Sequence, residues 1–137
     1  MMSNTERLAQ KRMMITDKIN RNPFSPEFIE RQFYSTAEDG SLVKNGDPIA
    51  CAGFNKPIRV FENVKIETEE LQNGIYSPNT STFIISEYDE DIFYGMIFEY
   101  HERKYMTLKK VDLIKYGDRV GIRCELRDIT KEIVHAD

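Results

Sequence analysis

Residues 119–130, Arg-Val-Gly-Ile-Arg-Cys-Glu-Leu-Arg-Asp-Ile-Thr, carry the clearest pattern in the chain and decide its fold. The apolar residues from Val120 to Leu126 occupy every second position, and most of the residues between them are charged. Side chains of a β-strand point alternately to the two faces of a sheet, so this spacing places the apolar residues on one face. The stretch therefore predicts a long strand with one buried and one solvated face.

The sequence before this strand extends the same pattern into a meander. Residues 96–100 and 105–114 are two further strand-like runs, and the polar residues 101–104 separate them. Residues 115–118, Lys-Tyr-Gly-Asp, predict the next turn, because glycine accepts the backbone angles that tight turns need. Three consecutive strands with short connections predict an antiparallel arrangement for the last third of the chain.

The chain begins with a predicted helix over residues 1–22. Ser3 and Glu6 match the capping box S-x-x-E, in which side chains pair with backbone N–H groups at the start of a helix. Ile15 and Ile19 belong to a narrow apolar stripe at helical spacing. A helix with one apolar stripe needs a surface to pack on, so we expect it to dock on the rest of the protein.

Strand patterns also occur in the middle of the chain, and we expect a bulge near Glu62 and Asn63 in one of them. These patterns lie at residues 27–34, 41–43, 57–68 and 82–86. Glycines and prolines make residues 46–57 an irregular connection. Residues 69–82 are polar and rich in turn formers, which predicts a mobile loop. The candidate contact residues of this loop are Asn73, Gly74, Ser77, Pro78 and Asn79.

Together these elements predict an α+β, mainly β fold, in which an N-terminal helix packs on a small antiparallel sheet or β-barrel. The 137 residues are expected to form one domain, because domains of about 100–150 residues are the commonest. We expect the β region to occupy residues 27–130 and a short tail to occupy residues 131–137. A content of 40% apolar and 31% charged residues is typical of a folded globular chain.

The overall charge and the apolar pattern exclude some classes of protein. The chain has 19 basic and 23 acidic residues, and its net charge of −4 argues against a surface that binds nucleic acid throughout. We find no apolar run long enough for a membrane and no signal-peptide pattern, so we expect a cytoplasmic protein without a membrane partner. Cys51 and Cys124 are expected to be reduced and buried, and His101 and His135 to be solvated.

The charges are distributed unevenly along the chain. Residues 62–102 contain one basic and ten acidic side chains, whereas residues 103–131 contain nine basic and four acidic ones. One interpretation is a protomer with an acidic and a basic face that meet neighbouring molecules, and the other is an ordinary clustering of solvated charges. The candidate interface residues are Arg119, Arg123, Arg127, Lys109, Lys110, Asp89, Glu90 and Asp91.

The sequence contains no recognisable catalytic, cofactor-binding or metal-binding motif. It has no glycine-rich phosphate loop, and no nucleophile stands beside a suitably spaced histidine and acid. The acidic residues 89–91 do not form a calcium loop, because Phe93 and Tyr94 stand where an EF-hand requires an acidic or amide residue and a glycine. We therefore expect a protein that is not an enzyme and has no cofactor or metal.

Three passages carry a resemblance to a known family. The first is Ile-Thr-Asp-Lys-Ile-Asn-Arg-Asn-Pro at residues 15–23, and the second is Asp-Gly-Ser at 39–41 with Pro-Ile-Arg-Val-Phe at 57–61. The third covers residues 95–129, with Phe-Glu-Tyr at 98–100, Tyr-Gly-Asp at 116–118 and Cys-Glu-Leu at 124–126. They resemble the opening helix, first hairpin and closing meander of the head–tail connector family of tailed bacteriophages, of the head-closure or stopper type. The chain departs from that family in its middle third, which is more acidic and has no tryptophan.

The resemblance implies a structural role. Such proteins form a ring beneath the portal and its adaptor ring, close the channel after DNA packaging, and dock the tail. The implied partners are further copies of the chain, portal or adaptor proteins, tail proteins and, non-specifically, the packaged DNA. The implied location is the host cytoplasm during assembly and the virion neck afterwards. Residues 69–82 would then form a plug or contact loop.

Two other functions stay open at the level of sequence. One is a tail-terminator or tail-completion protein, which is also a small α+β ring former. The other is a nucleic-acid-binding barrel of the OB or SH3-like type, because aromatic and basic residues are interleaved in the closing meander. The residues in question are Tyr105, Lys109, Lys110, Tyr116, Arg119, Arg123 and Arg127.

Overall fold

The structure is a computed structural model, and it describes residues 1–65 and 80–133. An N-terminal helix and two antiparallel sheets make up this part of the chain, which confirms the predicted α+β, mainly β fold. None of the described helices is long and apolar enough to cross a membrane. Two sets of residues discussed above lie outside the described part of the chain. They are the predicted contact residues Asn73, Gly74, Ser77, Pro78 and Asn79, and the tail after Ile133, which includes His135.

The described elements have the following bounds. The helices are α1 (Asn4–Asn20) and α2 (Thr130–Ile133). The strands are β1 (Ile29–Arg31), β2 (Tyr34–Thr36), β3 (Leu42–Lys44), β4 (Ile49–Cys51), β5 (Arg59–Lys65), β6 (Thr80–Glu87), β7 (Met96–Tyr100), β8 (Arg103–Lys115) and β9 (Asp118–Asp128). One sheet has the order β4-β1-β7-β8-β9-β6-β5, and β2 and β3 form the second sheet.

The meander β7–β8–β9 is the part of the fold that the sequence predicts best. Its two connections are tight, since His101 and Glu102 in the first turn and Tyr116 and Gly117 in the second have φ between 51° and 77°. Two consecutive residues with positive φ make the turn type that matches the twist of a β-hairpin. Strands β7, β8 and β9 therefore pair in sequence order with short turns between them.

The large sheet curls around a central apolar core. Alternate residues of its strands face that core, among them Phe98 on β7, and Ile122 and Cys124 on β9. The segment before β1 pairs with the residue that precedes β5, since Phe24 and Ile58 exchange backbone hydrogen bonds of 2.8 and 2.9 Å. This contact closes the curved sheet. The core side of β9 is thus the apolar face that its alternating sequence predicts.

Helix α1 covers part of the outer face of the sheet. The Ser3 hydroxyl oxygen accepts a hydrogen bond from the backbone N–H of Glu6 at 3.2 Å, which confirms the predicted start of the helix. Ile15 and Ile19 then pack with Phe83 and with other apolar residues of β5 and β6. The apolar stripe of α1 therefore docks the helix on the sheet, as expected.

The approach of α1 to β9 depends on Gly121. A Cβ atom at this position would lie 3.1 Å from Cγ2 of Ile15 and 3.3 Å from the carbonyl oxygen of Ser86. These distances are shorter than ordinary van der Waals contact, so the absent side chain lets the helix lie directly on the strand. A glycine inside a strand pattern often marks such a close approach.

A polar contact joins β5 to the turn between β7 and β8. The predicted bulge is present as a shift of register between Phe61 and Val64. Glu62, inside the bulge, accepts a 2.5 Å hydrogen bond from the Tyr105 hydroxyl and lies 2.9 Å from Nδ1 of the exposed His101. Burial and the Glu62 carboxylate raise the pKa of Tyr105, so its hydroxyl stays protonated and continues to donate.

Two predictions for residues 46–57 are wrong. This segment contains strand β4, which pairs with β1, although its glycines and prolines predict an irregular connection. A strand of three residues leaves too short a pattern to recognise in sequence. Cys51 lies on β4 at the edge of the sheet and is exposed, so the prediction that both cysteines are buried holds only for Cys124.

Candidate functional site

The distal part of the β8–β9 hairpin extends beyond the strands that cover its base. β7 pairs with β8 from Arg103 to Met106, and one further backbone hydrogen bond joins the N–H of Gly95 to the carbonyl oxygen of Thr107. From residue 108 to residue 115, β9 is the one described strand that pairs with β8. We call residues 108–118 the β8–β9 arm. One edge of its β8 strand lacks a described neighbour, and such an edge is a template for adding another strand.

The β8–β9 arm exposes apolar side chains. Val111 is 55% exposed, Ile114 is 53% exposed and Tyr116, in the turn, is 48% exposed. Val111 lies opposite Arg123 of β9, and Ile114 lies opposite Arg119. Opposite residues of an antiparallel pair share a face, so Val111, like Arg123, lies on the outer side of the sheet, where α1 also packs. A register shift separates Leu113 from Ile114. Clustered exposed apolar residues of this kind are typical of interaction surfaces.

The charge of the β8–β9 arm comes from its lysines. The arm contains Asp112 and Asp118, and each lies 3.6 Å from an arginine, Arg119 and Arg12 respectively. The predicted interface residues Lys109 and Lys110 lie on the arm, and so does Lys115. No acidic side chain in the described ranges is within ion-pair distance of these three lysines. The arm therefore presents a positive surface to other molecules.

The three arginines that were predicted at an interface are each bound within the chain. Their carboxylate partners are Asp112 for Arg119 at 3.6 Å, Glu125 for Arg123 at 3.1 Å and Glu132 for Arg127 at 3.2 Å. The guanidinium carbon of Arg123 also lies 3.8 Å from the centre of the Phe83 ring, a cation–π contact. Arg119, Arg123 and Arg127 therefore carry less free charge than their sequence pattern suggests.

The acidic candidates differ in their surroundings. Asp89 forms a 2.8 Å salt bridge with Lys56, and this hydrogen bond lowers the pKa of the Asp89 carboxyl group. Asp91 is exposed. Glu90 is buried, with 4% of its surface exposed, because its carboxylate accepts hydrogen bonds from the backbone N–H groups of Asn55 at 2.8 Å and Lys56 at 3.1 Å. The prediction that Glu90 is solvated and available to a partner is therefore wrong.

The acidic and basic segments of the sequence do not form two separate faces. β6 belongs to the acidic segment, and it pairs directly with β9 of the basic segment. Tyr88, just after β6, contacts basic residues of both α1 and β9. The guanidinium carbon of Arg12 lies 3.7 Å from its ring centre, and Arg119 donates a 3.3 Å hydrogen bond to its carbonyl oxygen. Adjacent strands thus bring opposite charges together within one molecule.

A second exposed edge lies on the first hairpin, and the sequence patterns did not reveal it. β3 pairs with β2, and β4 is one of the two terminal strands of the large sheet. All residues of β3 and β4 are exposed. Among them Leu42, Val43 and Ile49 have exposed fractions of 54%, 51% and 61%. We call residues 42–51 the β3–β4 edge, and its outer side has no strand neighbour in the described part of the chain.

The surroundings of the β3–β4 edge are acidic. Glu38 and Asp39 form the turn that precedes it, and Asp47 lies between its two strands. The Asp39 carboxylate accepts hydrogen bonds from the Ser41 hydroxyl at 2.6 Å and from the Ser41 backbone N–H at 3.0 Å. These bonds lower the pKa of Asp39, so the turn keeps its negative charge well into acidic solution. Lys44 is the basic residue of this edge.

The comparisons with known proteins leave the function to be argued from these surfaces. No protein-family model, curated protein or solved structure matches the chain. Within residues 1–65 and 80–133, no three histidine, cysteine, aspartate or glutamate side chains come together as a metal ion would require. The features with the clearest chemical character are the basic β8–β9 arm and the acidic β3–β4 edge.

Proposed function

We propose that this chain is a structural virion protein of a phage or prophage, a stopper ring component in head–tail joining and head completion. In this role it closes the portal channel and docks the tail. The observation that carries the proposal is the presence of two different exposed strand edges on one small β domain, at the β8–β9 arm and the β3–β4 edge. A protomer with two different association surfaces joins its neighbours head to tail, and such contacts generate rings when the rotation closes.

The resemblance of the sequence to the connector family supports the choice of particle. It concerns the helix end at residues 15–23, the first hairpin and the closing meander. The β8–β9 arm lies within the third of these passages, and the β3–β4 edge lies between the two stretches of the second. The proposed partners are other copies of the chain, portal or adaptor proteins and tail proteins, with non-specific contact to packaged DNA. The proposed location is the host cytoplasm and then the virion neck. The predicted loop at residues 69–82 is wrong for residues 80–82, which belong to β6, so the proposed plug or contact loop is the part that precedes this strand.

Electron microscopy tests the proposed place in the particle. The purified protein is mixed with portal complexes of its own phage, and in parallel with tail tubes of the same phage. We expect an additional ring on the portal side. A ring that forms only at the end of the tail tubes would favour the tail-terminator function instead. The absence of any added layer on either particle would exclude both functions.

Charge reversal tests the predicted arginine surface within this function. We expect Arg123→Glu with Arg127→Glu to weaken ring addition to portal complexes, because the two changes reverse positive charges on β9. Arg127→Glu alone is the cleaner variant, since Arg123 also packs on Phe83 inside the molecule. Ring addition at the wild-type level by both variants would show that β9 is not part of the proposed interface.

A nucleic-acid-binding barrel is the second candidate, and one observation favours it. Lys109 and Lys110 lie on the β8–β9 arm without an acidic partner in the described residues, so they are available to phosphate groups. This function predicts that the purified protein is retained on DNA at low salt and released as salt rises. It also predicts that Lys109→Ala with Lys110→Ala abolishes retention. Retention that does not respond to salt or to these substitutions would exclude it.

A further inference from the structure

We propose that the β8–β9 arm of one copy of this chain pairs with the β3–β4 edge of the next copy. The inference rests on the ring-forming part of the proposed function, and it names the two surfaces that meet. The proposed binding partner of the exposed β8 edge is therefore a second copy of the same chain.

The first argument is the backbone. Residues 108–115 of β8 and the three residues of β3 each have one strand edge without a described neighbour. Long exposed edges attract other strands, and a strand added from a partner satisfies the backbone groups of both. Pairing β8 of one copy with β3 of the next would cover both edges in one contact.

The second argument is charge. Lys109, Lys110 and Lys115 make the arm positive, because its two aspartates already pair with arginines. The β3–β4 edge is flanked by Glu38, Asp39 and Asp47. Unlike charges across an interface favour contact between the two different surfaces. Like charges oppose contact between two arms or between two β3–β4 edges, so the association should run head to tail.

The third argument is the apolar surface. Val111 and Ile114 on the arm, and Leu42 and Val43 on the edge, are each more than half exposed. Cross-strand pairs of β-branched and other apolar residues stabilise a sheet when they face each other. Both surfaces therefore offer apolar side chains that are largely exposed in the described part of the chain and would be covered by a second copy.

Charge exchange between the two surfaces tests the pairing by sedimentation velocity. One variant carries Lys109→Glu and Lys110→Glu, and another carries Glu38→Lys and Asp47→Lys. Asp39 is left unchanged because it holds the turn through Ser41. We expect the wild-type chain to associate as its concentration approaches about 1 mM. Each variant alone should stay monomeric, because its two surfaces carry the same charge.

Two combinations should restore association. In an equimolar mixture of the two variants, every arm again finds an edge of opposite charge, and the same holds for one chain with all four substitutions. A wild-type chain that stays monomeric at about 1 mM would overturn the pairing, and so would single variants that associate as the wild type does. Failure of both combinations, with intact folding by circular dichroism, would also overturn it.

A matched control and an internal reporter make the result specific. Arg7→Glu with Asp17→Lys exchanges two exposed charges on α1 that belong to neither residues 108–118 nor residues 42–51, and should leave association unchanged. Cys51 lies on β4 within the β3–β4 edge and is exposed, so its reaction with a thiol reagent should slow as the wild type associates. In the variant with Lys109→Glu and Lys110→Glu, the reaction of Cys51 with the same reagent should not slow.

The same variants separate the interface from the proposed function. If the variants add a ring to portal complexes as well as the wild type does, the stopper function stands and the arm-to-edge pairing is wrong. If the wild type associates through these surfaces but adds no layer to portal complexes or tail tubes, the pairing stands and the stopper function is wrong.

Discussion

The base and the tip of the β8–β9 hairpin have similar sequence patterns and opposite surroundings. At the base, Tyr105 and Met106 are buried, because β7 pairs beside them and Ile129 packs against Met106. Toward the tip, Val111 and Ile114 are more than half exposed. Alternation along a strand shows which residues share a face, but the neighbouring elements decide whether that face is covered. The difference indicates that the base stabilises the fold while the tip is available to another molecule.

The largest expected effect is a difference in lost stability between substitutions of two glycines. Gly95 lies beside the base of the β8–β9 hairpin, and Gly117 lies at its tip. Gly95 has φ of +91°, and a Cβ there would lie 2.3 Å from the carbonyl oxygen of Gln32. Gly117 also has positive φ, +77°, but a Cβ there would meet no atom within 4 Å. We expect Gly95→Ala to lower the free energy of unfolding by about 3 kcal/mol or more and Gly117→Ala by about 1 kcal/mol. Urea unfolding measures both, and equal losses would contradict the contrast between base and tip.

A smaller effect is expected where α1 lies on β9. Gly121→Ala would place a Cβ 3.1 Å from Ile15, so the helix must shift slightly outward. We expect a loss of about 1–2 kcal/mol in the free energy of unfolding. Combining it with Ile15→Ala, which removes both Cγ atoms that the new Cβ would contact, should give less than the sum of the two single losses. Strict additivity of the losses in urea unfolding would show that the contact is not the cause.

At the tip we expect almost no effect on stability. Val111→Thr with Ile114→Thr keeps the β-branched shape of exposed residues and should change the free energy of unfolding by about 0.5 kcal/mol or less. Association between copies should nevertheless weaken, because the apolar surface of the arm is reduced. Thermal melting and sedimentation velocity measure the two quantities. A large loss of stability would mean that the tip is part of the folding core after all.

A similarly small effect, larger at neutral than at acidic pH, is expected at the end of β9 at the base. The side chain and the backbone N–H of Thr130 hydrogen-bond to the exposed Asp128, and with Arg103 they lower its pKa. A lowered pKa contributes stability above the unfolded value of about 4, and this is lost as pH falls through the folded value. We expect Asp128→Asn to cost about 0.5 kcal/mol at pH 7 and less at about pH 2.

Thermal melting at the two pH values measures this difference. Thr130→Val supplies the control, since it removes the donor hydroxyl that contributes most to the lowered pKa of Asp128. In that background the effect of Asp128→Asn should shrink. An Asp128→Asn effect that is the same at both pH values would contradict the assignment.

The predictable part of the fold and of the candidate site follows from local patterns. The capping box marks the start of α1, and the alternation from Val120 to Leu126 identifies the core face of β9. Lys109 and Lys110 were identified as interface candidates from their charge alone. Glu90 and Cys51 were misjudged, because their burial depends on residues distant in sequence or on a place at the sheet edge.

The sequence by itself determines the mainly β fold with its N-terminal helix, because the spacing of apolar residues sets the period of each element and capping and turn residues mark its ends. The tertiary structure alone decided which strand edges have no neighbour among the described strands. β7 pairs with the base of β8 but not with its tip, and β4 lies at one end of the large sheet. No local sequence pattern predicts either position. Pairing between strands depends on contacts between residues far apart in the chain, so the proposed association surfaces became visible only in three dimensions.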